Sequence, residues 1–348
     1  MNEPATAPAT PADLIPLIDM EVWRKGNPGE RYRTAQEVDS ALAHVGFLIL
    51  TNHGIPSDLI DKVRHVSNEA FALPAETKLK YRQSNGTGGP GWTPIGAEAN
   101  SYASGQAAPP DLKETWTVAP FGEGAVVPTS RGVVAVRNEF PVEVPSFKPA
   151  MERYIAAGLD LSTELFELLA VAAGLPSDTF AKQCTNPLHN FNLTWYPPIG
   201  DDMADPEPGQ FRIGPHSDFG TITILQREAS DPPLQVQRAD GSWIDLPHVP
   251  DALVVNTGDQ LAYWSGGRWR SNPHRIPAPT GEAVRQGRLS LVLFLETDLD
   301  AMLQPIGRPD DEPMDAVQYL VDKLIAIDTS LHSNEESTAE DNVPGHHS

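Results

Sequence analysis

Residues 213–226 read IGPHSDFGTITILQ. Two polar, metal-competent side chains, His216 and Asp218, stand two positions apart at the head of a run that alternates Thr and Ile. In a strand, residues i and i+2 face the same side, so both side chains are expected to aim at one point while Ser217 turns away. One imidazole and one carboxylate make an incomplete metal site. His274, in RSNPHRIPAP, follows Asp218 after 55 intervening residues and two further strand candidates, which gives the chain room to return beside the first pair.

Around this stretch the period of the sequence is two. From about Asn190 onward, FNLTWY, TITIL, LQVQ, ALVVN, LAYW and RLSLVLFLE read as short strands separated by Gly, Pro or Asp. Many short strands in succession predict a barrel or jelly roll rather than a parallel sheet with crossover helices. In RLSLVLFLE, Leu289, Leu291, Leu293 and Leu295 share one face and Arg288, Ser290, Val292 and Phe294 the other. The leucine face is expected to pack against the rest of the protein. A guanidinium on the opposite face is costly to bury unless an anion pairs with it, and a bidentate carboxylate fits, with the serine hydroxyl as a further donor. Two His and one carboxylate on one side of a metal leave positions open opposite, as in non-haem Fe(II) oxygenases. A small dicarboxylate chelating such a metal at one end can meet Arg288 at the other. Each piece also has a plain structural alternative. An HxD pair can serve packing alone, His274 can be a turn residue beside Pro273, and Arg288 can pair with a protein carboxylate.

The first half has a different period. Val38, Ala41, Leu42 and Val45 fall at helical spacing within 33–73, and GFLILTNHGIP reads as a strand and turn. Ser57 is the expected N-cap of a second helix carrying Ile60, Val63, Val66 and Phe71. A longer helix is expected from about Lys148, with Leu161, Leu165, Leu168, Leu169 and Ala172 in its stripe and Gly174 and Pro176 at its end. Between them, about 82–145 is rich in Gly, Pro and Ala and reads as loops with short strands such as ETWTV. Helices first and strands after predict a single α+β domain. Residues 13–145 form its helical and loop region and 146–331 its catalytic half, between a disordered lead (1–12) and a disordered acidic tail (332–348). His346 and His347, in that tail, read as inert.

The formal net charge is −22 and the pI about 4.7. Such a chain is repelled by nucleic-acid phosphates and anionic lipid, so neither is expected as a partner. No apolar run reaches the length of a membrane span. The first residues lack the basic and apolar regions of a signal peptide. Cys184 is the single cysteine. No intrachain disulfide is possible, and a reducing cytoplasm is the expected compartment. No obligatory protein partner is inferred.

Taken together, the motifs resemble the isopenicillin N synthase-like branch of the Fe(II)/2-oxoglutarate-dependent dioxygenases. LIPLIDM, VGFLILTNHGIP and FALPAETKLKY are similar to the family's N-terminal region. LTWYPP, PHSDFGTITILQ, PLQVQRADGSWIDLP, VVNTGDQLAYWSGGRWRSNPHRI and RLSLVLF are similar to its catalytic half. The resemblance spans about 13–310. It implies a double-stranded β-helix, a cupin-like jelly roll, with helices packed outside. It also implies that His216, Asp218 and His274 bind Fe(II), and that Arg288, Ser290 and Tyr196 hold the distal carboxylate of 2-oxoglutarate. With O2 as the second cosubstrate, the implied reaction is hydroxylation of a small molecule, or desaturation or ring closure, in secondary metabolism. Thr194 stands where the family often has Asn, and the stretch between His274 and Arg288 is longer than usual. Asn52, His53 and Gly54, like Asn256, Gly258 and Asp259, read as turn formers, and His189 and His248 as structural. Substrate selection is expected from 82–116, from IGDDMADPEPGQFR, and from a helix after about Pro313. Phe294, Arg82 and Arg212 are the substrate-side candidates. Two rivals remain: an oxidase that uses no 2-oxoglutarate, and a non-catalytic jelly-roll binding or storage protein.

Overall fold

The structure is a computed structural model that describes residues 15–105, 108–121, 124–200 and 205–331. The expected lead, the expected tail with its two histidines, and positions 201–204 of the IGDDMADPEPGQFR loop lie outside the described residues.

Two main sheets and a helical layer, with two small two-stranded ribbons, build the described residues. The large sheet has eight strands, in the order Leu17–Asp19, Phe47–Thr51, Leu253–Thr257, Ile222–Arg227, Arg288–Leu295, His189–Tyr196, Glu114–Val118 and Gly91–Thr93. The small sheet has four, in the order Trp243–Asp245, Gln235–Gln237, His274–Pro277 and Phe211–His216. Pairing within both is antiparallel except where Leu17–Asp19 runs parallel to Phe47–Thr51. This is the double-stranded β-helix, with helices flanking one face. Four strands of the large sheet come from before residue 145, so the helical and loop region shares a sheet with the catalytic half.

Alternation decides which face meets what. Leu289, Leu291, Leu293 and Leu295 are buried with Phe191, Leu193 and Ile224 against the helices. Each such side chain contributes about 1.5 to 3 kcal/mol by leaving water. The helix Phe147–Ala172 meets that face with Leu161, Leu165, Leu168 and Leu169, as its stripe predicts. The helices Pro28–His44 and Ser57–Phe71 pack on it in turn. Asn27 and Glu30 close a capping box at the first of these. The opposite face of the large sheet supplies Phe47, Ile49, Tyr196 and Val254 to a second core, shared with Val236 and Ile276 of the small sheet. The functional cavity opens beside this second core.

Three local expectations are corrected. Ser57 is the first helical residue rather than the cap; Pro56 occupies the cap position and no side chain caps the helix. LAYW lies in a helix, Asp259–Trp264. Its buried residues Leu261 and Trp264 are three apart, which is helical spacing, and Gly258 at the N-cap lets the chain turn there. The third correction concerns the opening stretch. His216 ends one strand of the small sheet, Asp218 lies beyond it, and Ile222–Arg227 begins in the other sheet. The two side chains therefore converge at a corner between sheets and not along one strand.

Candidate metal and cosubstrate site

Strand pairing brings the distant histidine home. His274 is the residue paired with His216 across the small sheet. The two imidazole centroids are 4.3 Å apart. Asp218 Oδ1 lies 3.8 Å from His216 Nε2 and 3.6 Å from His274 Nε2. All three residues are buried, and their ligand atoms fall within 4.8 Å of one another, the one such group of metal-competent side chains among the described residues.

The remaining polar atoms are arranged so that these donors stay free. His216 Nδ1 sits 2.8 Å from the Gly214 carbonyl and His274 Nδ1 3.3 Å from that of Asn272. A carbonyl accepts only, so each Nδ1 carries the proton and each Nε2 keeps its lone pair. Burial, then the neighbouring His274, pushes the His216 pKa well below its usual value, which favours the neutral, metal-binding form. Asp218 Oδ2 accepts from Thr223 Oγ1 at 2.6 Å and from Asn256 Nδ2 at 2.7 Å, leaving Oδ1 for a metal. Burial opposes ionisation of Asp218, whereas the Asn256 and Thr223 hydrogen bonds favour it, as does a positive charge on either histidine, and its pKa lies below the usual carboxylate value. Two imidazoles that present Nε2 and one fixed carboxylate suit Fe(II) with open positions opposite.

Asn256 and Thr223 join the site without a sequence signal of their own. Asn256 reads as a turn former in sequence, because only the folded chain shows which carboxylate its amide reaches. Asn256→Ala is expected to lower Fe(II) affinity by roughly ten- to a hundredfold. Anaerobic metal titration checks this, and unchanged affinity would leave Asn256 a purely structural role. Asp259, also read as a turn residue, accepts from Ser217 Oγ at 3.1 Å and from Tyr319 Oη at 2.6 Å. It thereby fastens the helix Ala316–Ile327 to the residue between His216 and Asp218.

The same cavity reaches the predicted anion end. Arg288, Ser290, Val292 and Phe294 all line it, as their shared face requires. Arg288 is 2 % exposed. Its Nη1 donates to Ser230 Oγ, while Nε and Nη2 have no partner. Glu228, the nearby carboxylate, is paired with Arg64 at 2.8 Å, so Arg288 has not been neutralised by a protein side chain. Its guanidinium lies 5.0 Å over the Tyr196 ring, and Thr194 is paired with Ser290 across the strands. Burial, then Arg288, pushes the pKa of Arg212 down to about 10, and Arg227 is pushed to about 10 by the same two causes. Two unpartnered Arg288 donors thus stand near two further guanidiniums whose charge Arg288 disfavours, an arrangement suited to an anion.

Two substrate-side candidates lie away from this cavity. Arg82 is exposed and lines a separate surface groove with Gln83 and Arg131. Arg212 is buried behind the anion end, donates to the Gln286 carbonyl at 2.5 Å, and does not line the cavity. No described residue of 199–212 lines it either. Phe294 does. Thr87 and Lys113 from 82–116 line it, and so do Leu320 and Leu324 from the C-terminal helix. His53 has a structural place, its Nε2 donating to the Asp251 carbonyl at 3.0 Å. His248 is exposed, and His189 borders the cavity with Nδ1 held by the Pro187 carbonyl.

Known proteins resemble this chain in sequence and fold. Residues 15–138 match the family described as the non-haem dioxygenase in morphine synthesis N-terminal region, and residues 185–297 match the 2OG-Fe(II) oxygenase superfamily. The validamycin A dioxygenase of Streptomyces hygroscopicus subsp. limoneus is 32% identical over 298 residues, covering 85% of this chain and 80% of that protein. A homoarginine-6-hydroxylase of Arabidopsis thaliana is 30% identical over 272 residues, covering 78% and 79%. Among solved structures, a full-length Neurospora crassa protein crystallised in complex with alpha-KG superposes with a TM-score of 0.78 at 27% identity, covering 89% of this chain and 95% of that one.

Proposed function

Because the chain belongs to the 2OG-Fe(II) oxygenase superfamily, we propose that it oxidises a small polar metabolite, by hydroxylation, at the cavity lined by His216, Asp218, His274 and Arg288. It is an Fe(II)- and 2-oxoglutarate-dependent oxidoreductase. In this reading His216 Nε2, Asp218 Oδ1 and His274 Nε2 hold the iron, and Arg288, Ser290 and Tyr196 seat the distal carboxylate of 2-oxoglutarate. Bound iron and 2-oxoglutarate together supply O2 activation coupled to decarboxylation of the cosubstrate to succinate. The protein's own part is placement. Thr223 and Asn256 fix the carboxylate ligand, the two Nδ1 hydrogen bonds fix the imidazole planes, and Arg288 sets the cosubstrate's direction. Val292, Phe294, Leu320 and Leu324 keep water from the reacting carbon.

The observation that carries this reading is the pair of unpartnered Arg288 donors, Nε and Nη2, in the cavity that also holds the triad. The relatives' names point to validamycin A and homoarginine as their substrates, and a small, hydrogen-bonding metabolite, in secondary metabolism, fits the mixed polar and apolar wall here. We place the reaction in the cytoplasm, consistent with one cysteine in the sequence; among the described residues no helix is long and apolar enough to cross a membrane. Purified protein given Fe(II), O2 and 2-oxoglutarate is expected to release succinate slowly even without its prime substrate. Failure to bind 2-oxoglutarate in the presence of iron would instead favour an oxidase, with Arg288 reassigned to a substrate carboxylate.

A further inference from the structure

The row of cavity-facing residues on the strand Arg288–Leu295 does not stop at Phe294. Its parity continues to Glu296, one residue beyond the strand, and Glu296 also lines the cavity. Glu296 is half-buried, and its buried Oε2 has no hydrogen-bond partner. Eight residue steps of extended chain separate it from Arg288, about 27 Å along the chain. It therefore cannot neutralise that guanidinium, and neither end of the row pairs with the other. Glu296 is not among the metal-competent groups that cluster, so the iron site does not claim it.

The surroundings have been cleared for this carboxyl. It lies against Gly220, where any Cβ would overlap both of its oxygens. Two asparagine oxygens on the same cavity wall are unpartnered. Asn190, paired across the strands with Phe294, gives its Nδ2 to the Gly88 carbonyl at 3.2 Å and leaves Oδ1 unpartnered. Asn192, paired with Val292, also has an unpartnered Oδ1, and both asparagines line the cavity. Lys113, the lysine that lines the same cavity, is already paired with Glu98. Burial, then the charge of Asp218, pushes the Glu296 pKa up to about 8, as expected of a carboxyl without a cation.

We propose that Glu296 is the specificity-determining residue of this enzyme, and that its prime substrate carries an amine or guanidine cation that docks on the Glu296 carboxylate beside the Asn190 and Asn192 acceptors. This rests on the iron and 2-oxoglutarate reading above and names the substrate class for it. The substrate then lies between two charged ends. The anionic cosubstrate is held at Arg288, the cation at Glu296, and the bond to be oxidised sits near the triad. A neutral isostere leaves a buried carboxyl unpaired, and this is how such a site discriminates.

The test uses the full chain, anaerobic and loaded with Fe(II), with 2-oxoglutarate affinity measured first in the same calorimeter. Matched probes follow: L-arginine against L-citrulline, L-lysine against L-norleucine, and n-butylguanidine against n-butylurea. In wild type at least one cation is expected to bind about tenfold or more tighter than its isostere, the scale of one charge-assisted hydrogen bond. Glu296→Gln should erase that preference by weakening the cation and not the isostere, and Glu296→Asp should retain part of it. The assignment is overturned if no cationic probe binds, if isosteres bind as tightly, or if the preference survives in Glu296→Gln. The wild-type comparison decides without any variant. Absent 2-oxoglutarate binding sinks the proposed function itself, whereas normal 2-oxoglutarate binding without a cation preference sinks only the role of Glu296.

Discussion

Alanine in place of His216, Asp218 or His274 is expected to cut turnover by roughly a thousandfold or more, with the fold retained. The three donors converge within 4.8 Å, and they form the one such cluster of metal-competent side chains among the described residues. Losing an imidazole leaves two ligands and an open wall. Losing Asp218 is worse, because the charge that offsets the metal goes with it, and Thr223 Oγ1 and Asn256 Nδ2 lose their acceptor. Asp218→Ala should therefore show the largest fall in iron content and the largest shift in melting temperature of the three. Metal analysis alongside succinate release reads both effects. A variant that keeps about one iron per chain and full turnover removes that residue from the ligand set.

Arg288→Leu is expected to weaken 2-oxoglutarate binding by roughly thirtyfold to several thousandfold. A desolvated, charge-assisted pair is worth about 2 to 5 kcal/mol, at about 1.4 kcal/mol per decade of affinity. The upper part of that range is favoured here, because Nε and Nη2 have no other partner and Arg212 and Arg227 stand close by with like charge. Arg288→Lys should fail too, since an ammonium cannot present two parallel donors to a carboxylate. Ser290→Ala should cost less, about 1.5 to 3 kcal/mol, as for one hydrogen bond to a charged group. Anaerobic titration of 2-oxoglutarate into the iron-loaded variants measures all three. Binding of Arg288→Leu at the wild-type level would dissociate this guanidinium from the cosubstrate.

Much of the second half is legible in the sequence because strand parity is a local property. The leucine face of Arg288–Leu295 and its cavity-facing row follow from alternation alone, and the structure places both as alternation requires. The same parity extends to Glu296, but a lone acidic residue at a strand end carries no signal until its surroundings are known to lack a cation. LAYW reads as a strand and folds as a helix because four residues are too few to separate period two from period three. Arg82 and Arg212 look alike in sequence because nothing local tells an exposed guanidinium from a buried one.

The sequence by itself determined the chemistry on offer: which residues can ligate a metal, which face of the last strand carries charge, and which stretches match a known family. Those follow from residue type and from periods of two and of three to four, which need only neighbours along the chain. The tertiary structure alone decided that His216 and Asp218 meet at a corner between two sheets, and that Asn256 and Thr223 orient the carboxylate. It alone decided that Arg288 is left without a protein counter-ion and that Asp259 ties the C-terminal helix to Ser217. These depend on contacts that strand parity does not reach, from Asp218 and Thr223, 5 positions apart, to Asp259 and Tyr319, 60 apart. Pairing across sheets, and the burial that makes an unpartnered charge expensive, exist only once the strands have closed around the cavity.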